Sequence, residues 1–299
     1  MSEMKDTVIA LGTFDGVHRG HAELIRRGLE WGRTHGAKLT VCAFDRHPLS
    51  VIRPESTPAI LTTAEEQAAR LKEIGADTIC LIPFNREMAD TEPEDFLKML
   101  REKTRVRAIV AGWNYTFGRG GSGTAETLKA DGEQHGYEVI VVPPVKTEAG
   151  EIISSSAIRK KLAEGDLDGA NDMLGYAYRI SGTVVNGKHE GTRIGYPTAN
   201  IRAGEGKQMP EYGVYACRAM CGGNIWNAVV NIGLQPTLPS GDVTVEAHIL
   251  DAEADFYGKQ MEIRLEKFLR GERKFDSVEA LTQQIGRDMK ETEDYFLRG

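Results

Sequence analysis

The sequence predicts two domains of different classes, an α/β domain followed by an all-β domain that ends in a helix. Within residues 7–150, short apolar runs alternate with longer amphipathic segments, an order typical of a doubly wound parallel sheet. Between about residues 180 and 270, strand-like runs are divided by Gly, Pro and Asn, which favours an antiparallel barrel or sandwich. The length of 299 residues fits two domains, and we place them at 1–178 and 179–299.

The candidate strands of the first half are rich in Val and Ile and poor in charge, as expected when helices cover both faces of a sheet. They are Thr7–Leu11, Lys38–Phe44, Thr78–Ile82, Ala108–Ala111 and Glu138–Val142. Helix-like stretches lie between them, near residues 20–34, 63–74, 92–103 and 124–134. One or two short helices are expected in residues 155–174, where the two halves join.

Two of these helices carry recognisable start signals. Thr62 followed by Glu65, and Thr91 followed by Glu94, both fit a capping box, in which hydroxyl and carboxylate bind free backbone N–H groups. Pro93 suits a first helical turn, because its missing N–H costs little there.

The candidate strands of the second half are Tyr178–Val185, Val214–Met220, Ile225–Val230, Val243–Leu250 and Met261–Leu269. A closing helix follows, since Val278, Leu281, Ile285 and Met289 recur at three- and four-residue steps. Asp276 or Ser277 can cap this helix.

Composition excludes several classes of protein. Hydrophobic residues make up 40% and charged residues 27%, which excludes a mostly disordered chain. The formal net charge of −7 gives no broad basic field for nonspecific nucleic-acid binding. The apolar run Thr7–Leu11 is too short for a signal peptide, and no run approaches membrane-spanning length. We therefore expect a cytoplasmic protein without membrane or nucleic-acid partners, whose four cysteines are structural thiols in a reducing compartment.

The segment Gly12–His21 predicts a phosphate site, because it joins the first strand to the first helix. A helix start there presents free N–H groups to an anion, and glycines at 12, 16 and 20 allow close backbone approach. His18 and His21 are spaced so that both can donate hydrogen bonds to one polyphosphate. A tight turn with two surface histidines would explain the glycines alone equally well.

The full string G-x-F-D-G-x-H-x-G-H is more specific, and it resembles the nucleotidyltransferases that carry H-x-G-H. It most closely resembles the bacterial bifunctional riboflavin kinase/FAD synthetases. Three further segments, 44–48, 112–118 and 153–159, are similar to strings of that family and follow predicted strand ends or begin a helix. The resemblance implies a Rossmann-like first domain that binds nucleotide through Gly12, Phe14, Asp15, Gly16, Gly20, Asn114, Ser155 and Ser156. His18, His21 and Arg159 are its implied catalytic residues at the triphosphate.

A second glycine-rich run, 182–200, ends in Pro197-Thr-Ala-Asn200. Gly187, Gly191 and Gly195 can approach phosphates closely, and Thr198 and Asn200 offer the hard oxygen ligands that Mg²⁺ prefers. A glycine-rich hairpin followed by a turn is the alternative.

This run resembles the riboflavin kinase signature, in which the Thr and Asn bind Mg·ATP. Segments 231–237 and 245–251 continue the resemblance, and the second implies that Glu246 is the catalytic base. The chain departs from the family pattern at Thr192, Gln235 and Leu238. The implied function is phosphorylation of riboflavin to FMN and adenylylation of FMN to FAD, with ATP and Mg²⁺, by a monomer or weak homo-oligomer. An adenylyltransferase with weak or absent kinase activity, and a non-catalytic flavin- or nucleotide-binding regulator, are the alternatives.

Overall fold

The computed structural model describes residues 5–186, 196–234, 243–252 and 254–298. Contacts between residues divide the chain into two compact units, Met1–Ser155 and Ser156–Gly299. The division at 155 places the joining helices with the second unit. The boundary near 178, which follows the change in strand pattern, stays a prediction.

The first unit contains a parallel sheet with helices on both faces. Its described elements are β1 (Asp6–Leu11), α1 (Arg19–His35), β2 (Lys38–Phe44), α2 (Leu49–Ile52), α3 (Ala64–Glu73), β3 (Thr78–Ile82), α4 (Arg86–Ala89), α5 (Pro93–Lys103), β4 (Arg105–Gly112), α6 (Ala125–His135) and β5 (Glu138–Val142). Short 3-10 turns lie at Pro54–Ser56 and Arg119–Gly121. The strand order is β3-β2-β1-β4-β5, and every pair is parallel, which confirms the doubly wound sheet.

Alternate residues of β1 face two separate cores, because side chains of a strand point to opposite faces. Val8 and Ala10 belong to the core beneath α1, which contributes Leu24 and Ile25. Ile9 and Leu11 belong to the other core, to which α5 and α6 contribute Phe96, Leu97 and Leu128. Because both faces of the sheet are buried, the sequences of these strands are unbroken apolar runs.

The second unit begins with two short helices and continues as a closed barrel. Its described elements are α7 (Ser155–Ala163), α8 (Leu167–Leu174), β6 (Tyr178–Val185), β7 (Ala199–Ala203), β8 (Gly213–Cys221), β9 (Asn224–Leu234), β10 (Val243–Ile249), β11 (Gln260–Gly271) and α9 (Val278–Arg298). The described strands close in the order β10-β7-β6-β11-β8-β9, and all pairs are antiparallel. The structure thus confirms the barrel, and it adds β7, which was not expected from the sequence.

Two expected helix starts differ from the structure. The capping box of α3 is formed by Thr63 and Glu66, one residue later than predicted. Thr62 does not cap the helix, because its hydroxyl accepts a hydrogen bond from the Gly16 N–H at 3.0 Å. The prediction of a capping box at Thr91 is also wrong. The N-cap of α5 is Glu92, which makes no side-chain capping bond.

Two predictions about helix starts hold. Pro93 is the first residue of α5, and the Ser277 hydroxyl accepts a hydrogen bond from the Ala280 N–H at the start of α9. All four cysteines are free thiols. None of the helices in the described ranges combines the length and apolar character that a membrane crossing requires.

Candidate functional site

The loop between β1 and α1 has a backbone that bends sharply at its centre. Phe14 and Gly16 have φ values of 52° and 81°, and Val17 has 36°. Such angles are uncommon for Phe and Val, so neighbouring contacts must hold the loop in this shape. Phe14 is fully buried, and a Cβ on Gly12 would lie 3.1 Å from its ring. Glycine at 12 therefore lets the Phe14 ring lie against the backbone.

Asp15 supplies much of the restraint on this loop. Its Oδ1 accepts hydrogen bonds from the backbone N–H groups of Leu61 and Thr62, at 2.8 and 3.1 Å. The hydroxyl of Ser155 donates to the Asp15 carbonyl oxygen at 2.9 Å, and Gln67 donates to the Thr13 carbonyl. The Asp15 carboxylate is thus engaged in holding the loop. A direct contact between Asp15 and nucleotide stays a prediction.

His18 is the N-cap of α1, and its Nδ1 accepts a hydrogen bond from the His21 N–H at 3.3 Å. An Nδ1 that accepts must carry no proton, so the proton of this neutral ring lies on Nε2. Burial lowers the pKa of His18 to about 4 from its usual 6.5, so the ring is neutral at pH 7. A Cβ on Gly20 would lie 3.0 Å from the His18 ring, which explains the glycine at that position.

The rings of His18 and His21 stack with their centroids 3.7 Å apart. Phe14 lies on His21 as well, at a centroid distance of 5.1 Å. Burial and the neighbouring His18 lower the pKa of His21 well below its usual value. The Nδ1 atom of His21 is buried and has no hydrogen-bond partner among the described residues. Because an unsatisfied buried nitrogen is costly, this atom is suited to bind a ligand or a water.

The remaining predicted residues of the first site lie after β4 and in the first turns of α7. Asn114 follows β4 and is exposed to solvent. Ser155 begins α7, Ser156 is exposed, and Arg159 lies four residues beyond Ser155, on the same face of that helix. The structure thus connects Ser155 directly to the loop through Asp15.

The second unit contains a cavity of about 300 Å³. Its wall is formed by strands of the barrel, the segment after β11, and α9. The lining residues are Tyr196, Thr198, Val214, Val229, Asn231, Glu246, His248, Arg270, Glu272, Arg273, Phe275, Leu281, Ile285 and Asp288. The predicted base Glu246 and the predicted metal ligand Thr198 therefore share one cavity.

Glu246 lies at the centre of a row of paired residues on the outer face of the barrel. Glu246 is on β10, which lies between β7 and β9. It pairs with Asn200 on β7 and with Asn231 on β9. Its sequence neighbours Val245 and Ala247 are buried in the core, so Glu246 faces the other way, toward the cavity. The register thus brings the predicted base beside the predicted metal ligand Asn200. Thr198 lies two residues before Asn200, directly ahead of β7, and lines the cavity.

One buried ion pair connects α9 to the barrel beside this cavity. The Arg270 Nη2 donates to Asp288 Oδ2 at 2.7 Å, and Nε donates to both carboxylate oxygens at 3.1 Å. Gln284 donates to the same carboxylate at 2.7 Å. Asp288 is only 3% exposed, so its charge depends on these donors.

Several predicted residues lie outside the described residues, namely Gly187, Gly191, Gly195, Thr192, Gln235 and Leu238. Conversely, the sequence did not single out Asn231, Val229 or His248 as site residues, although they line the cavity. The available signals were the segments 231–237 and 245–251, which contain Asn231 and His248, and the alternation of polar and buried residues along β10.

Both halves of the chain match known protein families. A family model described as FAD synthetase matches residues 1–157. A second, described as riboflavin kinase, matches residues 174–296. The order of the two matches along the chain is the order of the two sites described above.

Full-length relatives combine the two names. The bifunctional riboflavin kinase/FMN adenylyltransferase of Listeria monocytogenes is 35% identical over 297 residues, covering 97% of this chain and 93% of that protein. The protein of the same name from Bacillus subtilis is 34% identical, covering 98% and 94%. A crystal structure described as a macrolide-efflux protein from Streptococcus pneumoniae has a TM-score of 0.87 at 32% identity, covering 97% of this chain and 96% of that one. The chain belongs to the family of bifunctional riboflavin kinase/FMN adenylyltransferases, which are transferases.

Proposed function

We propose that the first unit transfers AMP from ATP to FMN, giving FAD and pyrophosphate. The observation that carries this assignment is the stacked pair His18 and His21 at the start of α1, with a buried Nδ1 that lacks a described partner. A helix start and neutral ring donors together favour an anionic ligand.

In this reaction an oxygen of the FMN phosphate attacks the α-phosphorus of ATP, and the bond from that phosphorus to the β-phosphate bridge oxygen breaks. Pyrophosphate leaves, and no covalent enzyme intermediate is needed. The protein lowers the barrier by positioning the reactants and by stabilising developing charge. In our proposal His18, His21, Ser155, Ser156 and Arg159 bind the triphosphate, and Asn114 lies near the α-phosphate or the flavin.

For the second unit we propose phosphorylation of riboflavin by ATP. The supporting observation is the position of Glu246 in the cavity wall, directly opposite Asn200. Glu246 accepts the proton of the terminal ribityl hydroxyl as its oxygen attacks the γ-phosphorus. The bond from that phosphorus to the β–γ bridge oxygen breaks, and ADP leaves with the electron pair. The apolar side chains of Val214, Leu281 and Ile285 suit the ring system of a flavin.

The residues present fit a magnesium ion that is shared with the substrate phosphates. The described residues contain no group of three or more His, Cys, Asp or Glu side chains that could hold a metal alone. Thr198 and Asn200 offer two neutral oxygens two residues apart, and Mg²⁺ commonly combines few protein ligands with phosphates. When bound, the ion neutralises charge that develops on the transferring phosphoryl group.

The proposed substrates are small molecules, and we propose no nucleic-acid or membrane partner. We also propose that the chain is monomeric or weakly associated and that it is located in the cytoplasm. FMN made in the barrel unit leaves it and rebinds at the first unit, which is the simplest route between two separate sites.

A time course of flavins tests the proposal. The protein is incubated with ATP and either riboflavin or FMN, with and without Mg²⁺, and the products are separated by chromatography. We expect FMN and then FAD from riboflavin, FAD from FMN, and neither product without Mg²⁺. Formation of FAD from FMN alone would remove the kinase assignment, and flavin binding without any product would favour a regulator.

A further inference from the structure

Asn231 lies directly opposite Glu246, on the side away from Asn200. The register pairs Glu246 with Asn231 in the β9–β10 ladder, and both residues line the cavity. Val230 and Ile232, which flank Asn231, are completely buried in the core. The amide of Asn231 therefore projects from the same outer face as the Glu246 carboxylate. Opposed residues of an antiparallel pair have Cβ atoms roughly 5 Å apart, a distance that an amide can bridge to a carboxylate.

The side-chain amide of Asn231 makes no hydrogen bond to another residue in the described ranges. It keeps two N–H donors and one carbonyl acceptor for use inside the cavity. The amide on the other side of Glu246 belongs to Asn200, which our proposed function assigns to the metal. Asn231 is the cross-strand amide on the other side of the carboxylate, and Glu246 also has a further interaction within the structure.

We propose that Asn231 is a positioning residue for the kinase reaction, which donates a hydrogen bond to the Glu246 carboxylate in the complex with substrates. One carboxylate oxygen is thereby held by the amide, and the other is turned toward the hydroxyl of the acceptor alcohol. This inference rests on the proposed kinase function and deepens it, because it assigns the residue that orients the base.

The amide of Asn231 is suited to this role because its N–H groups can donate, whereas an isosteric carboxylate at position 231 could only accept. Other charged or titratable groups also line the cavity. They are Tyr196 before β7, His248 on β10, Arg270 on β11, Glu272 and Arg273 after it, and Asp288 on α9. They are unchanged in every variant below, so a difference between variants reports position 231.

The experiment measures kcat and KM for riboflavin phosphorylation by the full-length protein and by Asn231→Ala, Asn231→Asp and Asn227→Ala. Asn227 is the matched control, because it lies four residues earlier on the same face of β9 and does not line the cavity. FAD formation from FMN in the first unit reports the amount of active chain in each sample.

We expect Asn231→Ala to lower kcat by about tenfold to a hundredfold with little change in KM for ATP. We expect the isosteric Asn231→Asp, which replaces the amide donor by an acceptor, to lower kcat at least as much. Asn227→Ala should match the wild type. If both Asn231 variants keep the wild-type kcat, the inference is wrong, although the proposed kinase function survives. A wild-type protein without kinase activity would instead overturn the proposed function. Should Asn231→Ala fail to fold, the kcat of the isosteric Asn231→Asp still decides the matter.

Discussion

The Nδ1 atom of His18 accepts a hydrogen bond from the backbone N–H of His21 at 3.3 Å. One side chain therefore caps α1 and, through Nε2, keeps a donor for a ligand. Proton binding at Nδ1 would break this cap. The helix start and the candidate phosphate site consequently depend on the same neutral ring.

Stability should depend on pH through His18. Its pKa is about 4 in the folded protein and near 6.5 when unfolded, so the unfolded chain binds the proton first as pH falls. The stabilising contribution is complete above pH 6.5 and is lost between pH 6.5 and 4, at about 1.4 kcal/mol per pH unit. Denaturant unfolding at several pH values measures this loss. His18→Asn, which keeps a capping side chain but does not titrate, should show a smaller slope. Equal slopes for the two proteins would contradict the assignment.

The first site should fail selectively when His21 is removed. We expect His21→Ala to reduce FAD formation from FMN by about a hundredfold or more, the usual cost of losing a preorganised donor. FMN formation from riboflavin should be unchanged. His35→Ala is the control, since His35 lies at the other, exposed end of α1. Loss of both activities in a folded His21→Ala protein would contradict two separate sites.

The kinase site should show the reverse pattern in Glu246→Gln. Loss of a general base typically costs a factor of about 10² to 10⁴, so FMN should form from riboflavin at a small fraction of the wild-type rate. FAD formation from added FMN should persist. Glu279→Gln, at an exposed position of α9 outside the cavity, should behave as wild type. Retention of riboflavin phosphorylation by Glu246→Gln would remove Glu246 from the base role.

The ion pair between Arg270 and Asp288 should stabilise the barrel unit. Asp288→Ala leaves a largely buried guanidinium without its carboxylate, and we expect it to lower the free energy of unfolding by about 3 kcal/mol. Glu291 is on the same helix as Asp288 and makes a solvent-exposed pair with Lys267 of β11, so Glu291→Ala should cost less than about 1 kcal/mol. Urea unfolding measures both. A double-mutant cycle with Arg270→Met should show strong coupling, and additive effects would contradict a specific pair.

Much of the fold could be predicted because its signals are local. The strands Lys38–Phe44, Thr78–Ile82, Glu138–Val142 and Tyr178–Val185 match the structure end to end. Strand β7 was missed because its short sequence is partly polar, and its extended form depends on pairing with β6 and β10. The start of α3 was misplaced for a similar reason. Thr62 and Thr63 both satisfy the capping spacing, and only the distant contact to Gly16 separates them.

The candidate sites likewise contain some residues that the sequence could identify and others that it could not. His18, His21 and Glu246 are visible in sequence motifs, and the structure places each in a loop or cavity suited to its predicted role. The engagement of Asp15 with Leu61 and Thr62 is invisible in the motif, because it depends on residues far along the chain. Asn231 begins a segment that resembles the family, but its position opposite Glu246 could be recognised only from strand register.

The most direct test of two sites in one chain mixes two variants that each lack one of the two activities. His21→Ala and Glu246→Gln are each incubated with riboflavin and MgATP, alone and together, and FAD is followed by chromatography. Alone, His21→Ala should stop at FMN and Glu246→Gln should leave riboflavin unchanged. Together they should form FAD after a lag in which free FMN accumulates. Absence of FAD from the mixture, while each variant retains its own half-reaction, would contradict release and rebinding of FMN between independent sites.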